Sequence, residues 1–120
     1  MRTRQCVVLA VLVVCGAVQA QSPPLPKWPD VKYEALTLMS KLDATIKAAG
    51  KSRDQMCQAS LEVTMPNSVR NFRAIRDRAT GYEARGEIAV AHREMIGLRT
   101  MVRDELDMLR QKCDDVPLPK

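Results

Sequence analysis

Aromatic side chains are nearly missing from this chain: Trp28, Tyr33, Phe72 and Tyr82 are all it has in 120 residues. β-branched residues are also thin after the first twenty positions. A β-sandwich draws its strands from those residue types, so the composition argues against that architecture. The shortage also counts against a nucleic-acid partner. Here the basic residues are interleaved with Asp and Glu, which describes solvated helix faces better than a phosphate-binding stripe.

Catalytic and metal signatures are missing too. There is one histidine, His92. With Met95 one helical turn on, it offers a soft metal such as Cu(I) two ligands, which is too few for a site. Cys57 and Cys113 have no CxxC neighbour, and no nucleophile-elbow pattern occurs. The carboxylate pairs Asp104–Glu105 and Asp114–Asp115 fall on a helix exterior and a tail, whereas general acid–base work needs a desolvated pocket. The expectation is a protein that is not an enzyme, with no metal and no cofactor.

A membrane-spanning run is the third absence. Cys6 to Val14 is unbroken apolar sequence and Cys15, Gly16, Ala17 and Val18 extend it. That stops short of the roughly 20 apolar residues a spanning helix needs. Arg2 and Arg4 precede the run, and Ala20, Pro23 and Pro24 follow it. A short basic region, a short apolar core and a small-residue exit predict a signal peptide over residues 1–20, with Val18 and Ala20 at the positions a signal peptidase reads. The alternative is lipidation of Cys15, for which Val14 is bulky. The chain is therefore expected to be exported, to the periplasm or the extracellular space, with no stable membrane span.

Export settles the cysteine arithmetic. Of four cysteines, Cys6 and Cys15 leave with the leader. Cys57 and Cys113 remain, and an oxidising compartment closes such a pair. A cross-link over so long a loop is worth roughly 4 kcal/mol in the chain-entropy model. That is a large share of the stability of a domain of about 100 residues.

What is present is helix-forming composition, rich in Ala, Leu, Met, Arg, Lys and Glu. Residues 21–29 read as a Pro-rich extended arm and 114–120 as a Pro-containing tail. The tetrapeptide Pro-Leu-Pro-Lys occurs in both, at Pro24–Lys27 and Pro117–Lys120. Both ends read as frayed termini, with polyproline docking on a partner as the alternative.

Residues 30–113 between them predict a small all-α domain of four helices in two hairpins. Asp30 is the expected N-cap of the first helix. Val31, Ala35, Leu38, Leu42, Ile46 and Ala49 form its apolar stripe, and Gly50 is its expected left-handed cap. Ser52 and Gln55 have capping-box spacing for a second helix. Its inner side is read as Met56, Cys57, Ser60 and Leu61, and Pro66 is expected to stop it. Ser68 is read as the cap of a third helix, which turns Val69, Phe72, Ile75, Ala79 and Tyr82 inward. Gly81 and Gly86 signal a turn, placed at Arg85-Gly86-Glu87. The fourth helix has the cleanest pattern: Ile88, Ala91, Met95, Leu98, Val102, Leu106, Leu109 and Cys113. Both Cys57 and Cys113 are in phase with apolar stripes.

Ala79, Tyr82, Gly86 and Ala91 are spaced in a way that resembles the small and aromatic positions of a tetratricopeptide-type helix hairpin. The likeness covers about one repeat, and solenoids need about three. What it implies is a tight helix–turn–helix.

Arg70, Arg73, Arg76, Arg78 and Arg85 concentrate cations on the third helix, relieved by Asp77 and Glu83. This face suits recognition of an acidic protein or an anionic polymer, against a plain reading as a solvated face with local ion pairs. The functional expectation is a non-catalytic accessory, inhibitor or immunity-type factor. The alternatives are a holdase-type periplasmic chaperone and a structural subunit of a secretion or conjugation apparatus.

Overall fold

The computed structural model describes residues 26–120, and every regular element in that range is helical. The expected signal peptide, Cys6, Cys15 and most of the Pro-rich arm lie outside the described residues. The elements are α1 (Trp28–Ala49), α2 (Gln55–Ala59), a π-helical segment (Ser60–Thr64), α3 (Met65–Ala84) and α4 (Ile88–Lys112).

The two expected middle helices are one rod. Pro66 was expected to end a helix, and instead the helix continues through it. An α-helical proline lacks an N–H and crowds the carbonyl four residues back. The chain widens into a π turn just ahead of it, and Met65 N–H bonds back five residues to Ser60 O. Pro66 follows directly, and the wider turn makes room for its ring inside a continuous helix. α2, the π segment and α3 therefore run on without a break. The result is three rods running down, up and down, so α1 and α4 are parallel and the middle rod opposes both. The expectation of four helices in two hairpins is corrected to this count.

α4 is the centre of the assembly. α1 and α3 each pack along it, and they approach each other less closely than either approaches α4. Its stripe is buried as expected at Ala91, Met95, Leu98, Val102, Leu106, Leu109 and Cys113, while Ile88 at the start is exposed. Val31, Ala35, Leu42 and Ala49 come in from α1, and Met65, Phe72, Ile75 and Ala79 from the middle rod. Each fully buried Leu or Met side chain contributes about 1.5–3 kcal/mol by removal from water.

Local signals at the helix ends were partly displaced by longer-range ones. α1 begins at Trp28, with Lys27 as N-cap and Pro29 in the first turn, so Asp30 lies inside the helix. Its carboxylate still favours the positive end of the helix dipole. Gly50 is right-handed (φ −59°), and the helix tapers through bonds from Lys51 N to Ala48 O and Ser52 N to Ala49 O.

The cap of α2 is Asp54, whose Oδ1 accepts from Met56 N (2.8 Å) and Cys57 N (3.1 Å). Ser52 is drawn into another network described below. Ser68 lies inside α3 and donates across the bundle to Glu105 Oε1 (3.1 Å). Met56 points outward, 64% exposed, rather than inward.

The turn at Arg85-Gly86-Glu87 is where the sequence places it. Gly86 has φ +78°, with Gly86 N–H bonded to Glu83 O (3.0 Å) and Glu87 N–H to Tyr82 O (2.9 Å). That is a Schellman ending, and its left-handed residue is one that only glycine adopts without strain.

Candidate functional site

The bundle has two fastened ends and one open flank. The first fastening joins the last residue of α1, the first turn of α2 and the end of α4. Cys57 and Cys113 form a disulfide there with Cα atoms 5.0 Å apart, both fully buried. Beside it, Ser52 Oγ donates to Asp115 Oδ1 (2.6 Å), and Arg53 N–H donates to Asp115 Oδ2 (2.9 Å). Asp54 N–H and Gln58 Nε2 also bond to Ser52, at its Oγ (3.1 Å) and its carbonyl (2.7 Å). The Ser52 hydroxyl, followed by the Arg53 amide, holds the Asp115 carboxyl below the usual carboxylate range.

The C-terminal tail is seated, where a frayed end was expected. Leu118 packs against the core, and the tail lies beside Lys41 and Arg110 over the α1–α4 seam.

The second fastening is at the opposite end. Glu83, at the end of α3, accepts from Trp28 Nε1 (2.8 Å) and from Lys32 Nζ (2.6 Å) on α1. The hydrogen bond from Lys32 is the main reason the Glu83 carboxyl is held below its usual range, with Trp28 adding to it. His92 lies edge-on to the Trp28 ring with centroids 6.1 Å apart. Met95, its candidate companion for a metal, is buried in the core. Among the described residues no three His, Cys, Asp or Glu side chains gather as metal ligands, and no helix is long and apolar enough to cross a membrane.

Between these fastenings runs the flank where α1 faces α3. On α1, Lys32, Leu36, Met39, Asp43 and Ile46 recur at steps of four and three, which places them on one line beside the core stripe. On the middle rod the facing line is Leu61, Met65, Val69, Arg73, Arg76, Thr80 and Glu83. Lys32 and Glu83 join the lines at one end. Toward the other end a cleft of about 450 Å³ opens, lined by Asp43, Ile46, Leu61, Met65, Pro66, Val69, Arg70 and Arg73. Met65 forms its buried floor; Ile46, Leu61 and Val69 are half-buried walls.

The arginines expected to act together are separated by this arrangement. Arg70 and Arg73 border the cleft, and among the described residues neither has an ion-pair partner. Arg76 pairs with its neighbour Asp77 (3.1 Å). Arg78 leaves on the other side of the helix toward Glu94 of α4 (3.4 Å). Arg85 caps the rod end, paired with Glu87 (3.2 Å) and lying over the Tyr82 ring.

Asp43 falls outside the apolar stripe expected on α1, and Ile46, expected within it, is half-buried at the cleft. The signal for the cleft was a second line offset by one position, 32-36-39-43-46. Ser60 is buried, as its place on the inner side of the second helix implies, and its hydroxyl accepts from Lys112 Nζ (3.2 Å). Compared with protein families, with characterised proteins and with solved structures, the chain matches none.

Proposed function

We propose that this chain is an exported, non-catalytic helical protein that binds another protein in the periplasm or extracellular space, as an accessory, inhibitor or immunity-type factor. The α1–α3 cleft carries this reading. It joins half-buried apolar walls to two exposed guanidinium groups, Arg70 and Arg73, that have no ion-pair partner among the described residues. Apolar surface shut off from water on binding supplies affinity, and exposed cations raise the encounter rate with an acidic surface. Without Arg2 and Arg4 of the leader, 17 of the 19 Lys and Arg remain against 14 Asp and Glu, a mild excess of positive charge that favours an acidic partner. The Cys57–Cys113 bridge fits a compartment that maintains disulfides.

The test is chemical cross-linking of the chain in its native exported fraction, followed by mass spectrometry. The expected result is one stoichiometric protein partner, lost in the Arg70→Glu/Arg73→Glu variant and kept in Arg78→Glu. A partner set indifferent to both substitutions refutes the reading.

A second reading, a holdase-type chaperone, is favoured by one observation. Met56 and Val63 lie exposed on the outer side of the middle rod, at 64% and 67%. A chaperone suppresses aggregation of unrelated unfolded proteins at near-equimolar ratio and loses this on Met56→Gln/Val63→Gln. A specific binder does neither.

A further inference from the structure

Resting on the binding reading above, we propose that the α1–α3 cleft receives an amphipathic α-helix of the partner, with carboxylates along the edge that meets Arg70 and Arg73, completing a four-helix arrangement.

Both walls of the cleft are helices whose main-chain groups, apart from the break in the ladder at Pro66, are bonded along the helix. An extended peptide laid between them finds no ladder of free N–H and C=O groups, so strand addition is excluded. Proline-rich ligands dock in grooves built from aromatic rings. This cleft is lined by aliphatic and methionine side chains, while Trp28 is engaged with Glu83 and Phe72 is buried. A helix meets its own backbone requirement and needs only ridges to pack between. The middle rod presents them at helical spacing, Leu61, Met65 and Val69, and Ile46 stands opposite on α1. The middle-rod wall from Leu61 to Arg73 is about 18 Å long, enough for about three turns of a guest helix.

The charges then fix the guest's orientation. Arg70 and Arg73 lie on the α3 rim, and Asp43 lies on the α1 rim. Among the described residues none of the three is in an ion pair. The guest therefore presents Glu or Asp toward α3 and tolerates Lys or Arg toward α1. A second copy of this chain is a poorer occupant, because two-fold pairing through this face sets one concavity against another and leaves a void.

The probes are three synthetic peptides of about 18 residues, about five helical turns. One has leucines at three- and four-residue steps with glutamates along one edge. The second has lysines in place of those glutamates. The third is the acidic peptide broken by two central prolines. Each is titrated by fluorescence anisotropy against the disulfide-bonded chain. The acidic helix is expected to bind about tenfold more tightly than the lysine twin, an order that reverses in Arg70→Glu/Arg73→Glu. Amide shifts in NMR spectra should gather at Asp43, Ile46, Leu61, Met65, Val69 and Arg73.

Equal binding of both charge types, binding of the proline-broken peptide, or shifts centred on Met56 and Val63 overturns the proposal. So does self-association through the cleft in sedimentation, or a change of cleft amide shifts when residues 21–25 are removed, which would make the chain its own occupant. If the cross-linked partner depends on Arg70 and Arg73 while no peptide binds, the helical occupant is refuted and the binding reading stands.

Discussion

The two seams on either side of α4 differ from the seam between α1 and α3 in what closes them. Along α4 the contact is made by fully buried side chains, Met95, Leu98, Val102, Leu106 and Leu109, and its outer edge is held by Glu34 between Arg99 and Arg103. Across the α1–α3 seam, Leu36, Met39, Ile46, Leu61 and Val69 stay half-buried, and polar groups fasten one end. Stability is concentrated in the first kind of contact. The second keeps apolar surface within reach of a partner. A bundle of three rods in which one touches both neighbours can hold together while leaving one flank unfilled.

The largest effect that sharpens this contrast is loss of the disulfide. Replacing Cys57 and Cys113 by alanine is expected to cost about 4 kcal/mol in chemical denaturation, since the bridge spans a separation of 56 residues. It should also release the tail at Asp115, visible as faster hydrogen exchange at Arg53 and in the first turn of α2.

Next come truncations in the two kinds of seam. Leu98→Ala, at a fully buried position on α4, is expected to cost about 3 kcal/mol. Val69→Ala on the open flank is expected to cost about 1 kcal/mol or less, because less area is withdrawn from water there. Equal costs in urea titrations would show that the α1–α3 seam is as closed as the others.

Acid acts on the fastenings. Glu83 and Asp115 both have carboxyls lowered in the folded chain. A lowered folded value contributes stability that is complete above the unfolded carboxylate range and is lost as pH falls through the folded values. Glu83→Gln should flatten that loss at the Trp28 end alone, and Asp115→Asn at the disulfide end alone. Trp28 fluorescence separates the two, since only the first changes the environment of the indole.

The smallest expected effect on stability is from Arg70→Glu/Arg73→Glu. Exposed substitutions away from caps and networks stay within about 0.5 kcal/mol, so an unchanged denaturation midpoint beside lost partner binding marks the pair as surface devoted to recognition. A destabilised variant would instead assign the two arginines to the fold.

Much of the architecture was legible because it is written in local periodicity. The α4 stripe from Ala91 to Cys113 and the Gly86 turn each depend on residues within a few positions of one another. The disulfide could be read by elimination once two cysteines were assigned to a leader. Pro66 misled because its effect depends on whether a helix can widen ahead of it, and tertiary packing of Ser60 and Met65 against the core decided that. Ser52 misled because a residue 63 positions away, Asp115, claims its hydroxyl. Of the candidate arginines, the sequence displayed all five alike; only helix phase and the positions of Asp77, Glu87 and Glu94 left Arg70 and Arg73 at a cleft without an ion-pair partner among the described residues.

Residue order alone determined that the chain is helical, which faces of α1 and α4 are apolar, where α3 hands over to α4, and that Cys57 and Cys113 lie in phase with the core. The three-dimensional packing decided that two expected helices are one rod, that the tail is seated, that Trp28 and Lys32 meet Glu83, and that α1 and α3 leave a cleft between them. The reason is one of range. A helical stripe is set by bonds and side chains three or four residues apart. The partner of a polar group, or the gap between two rods, is set by how three such stripes share a single core.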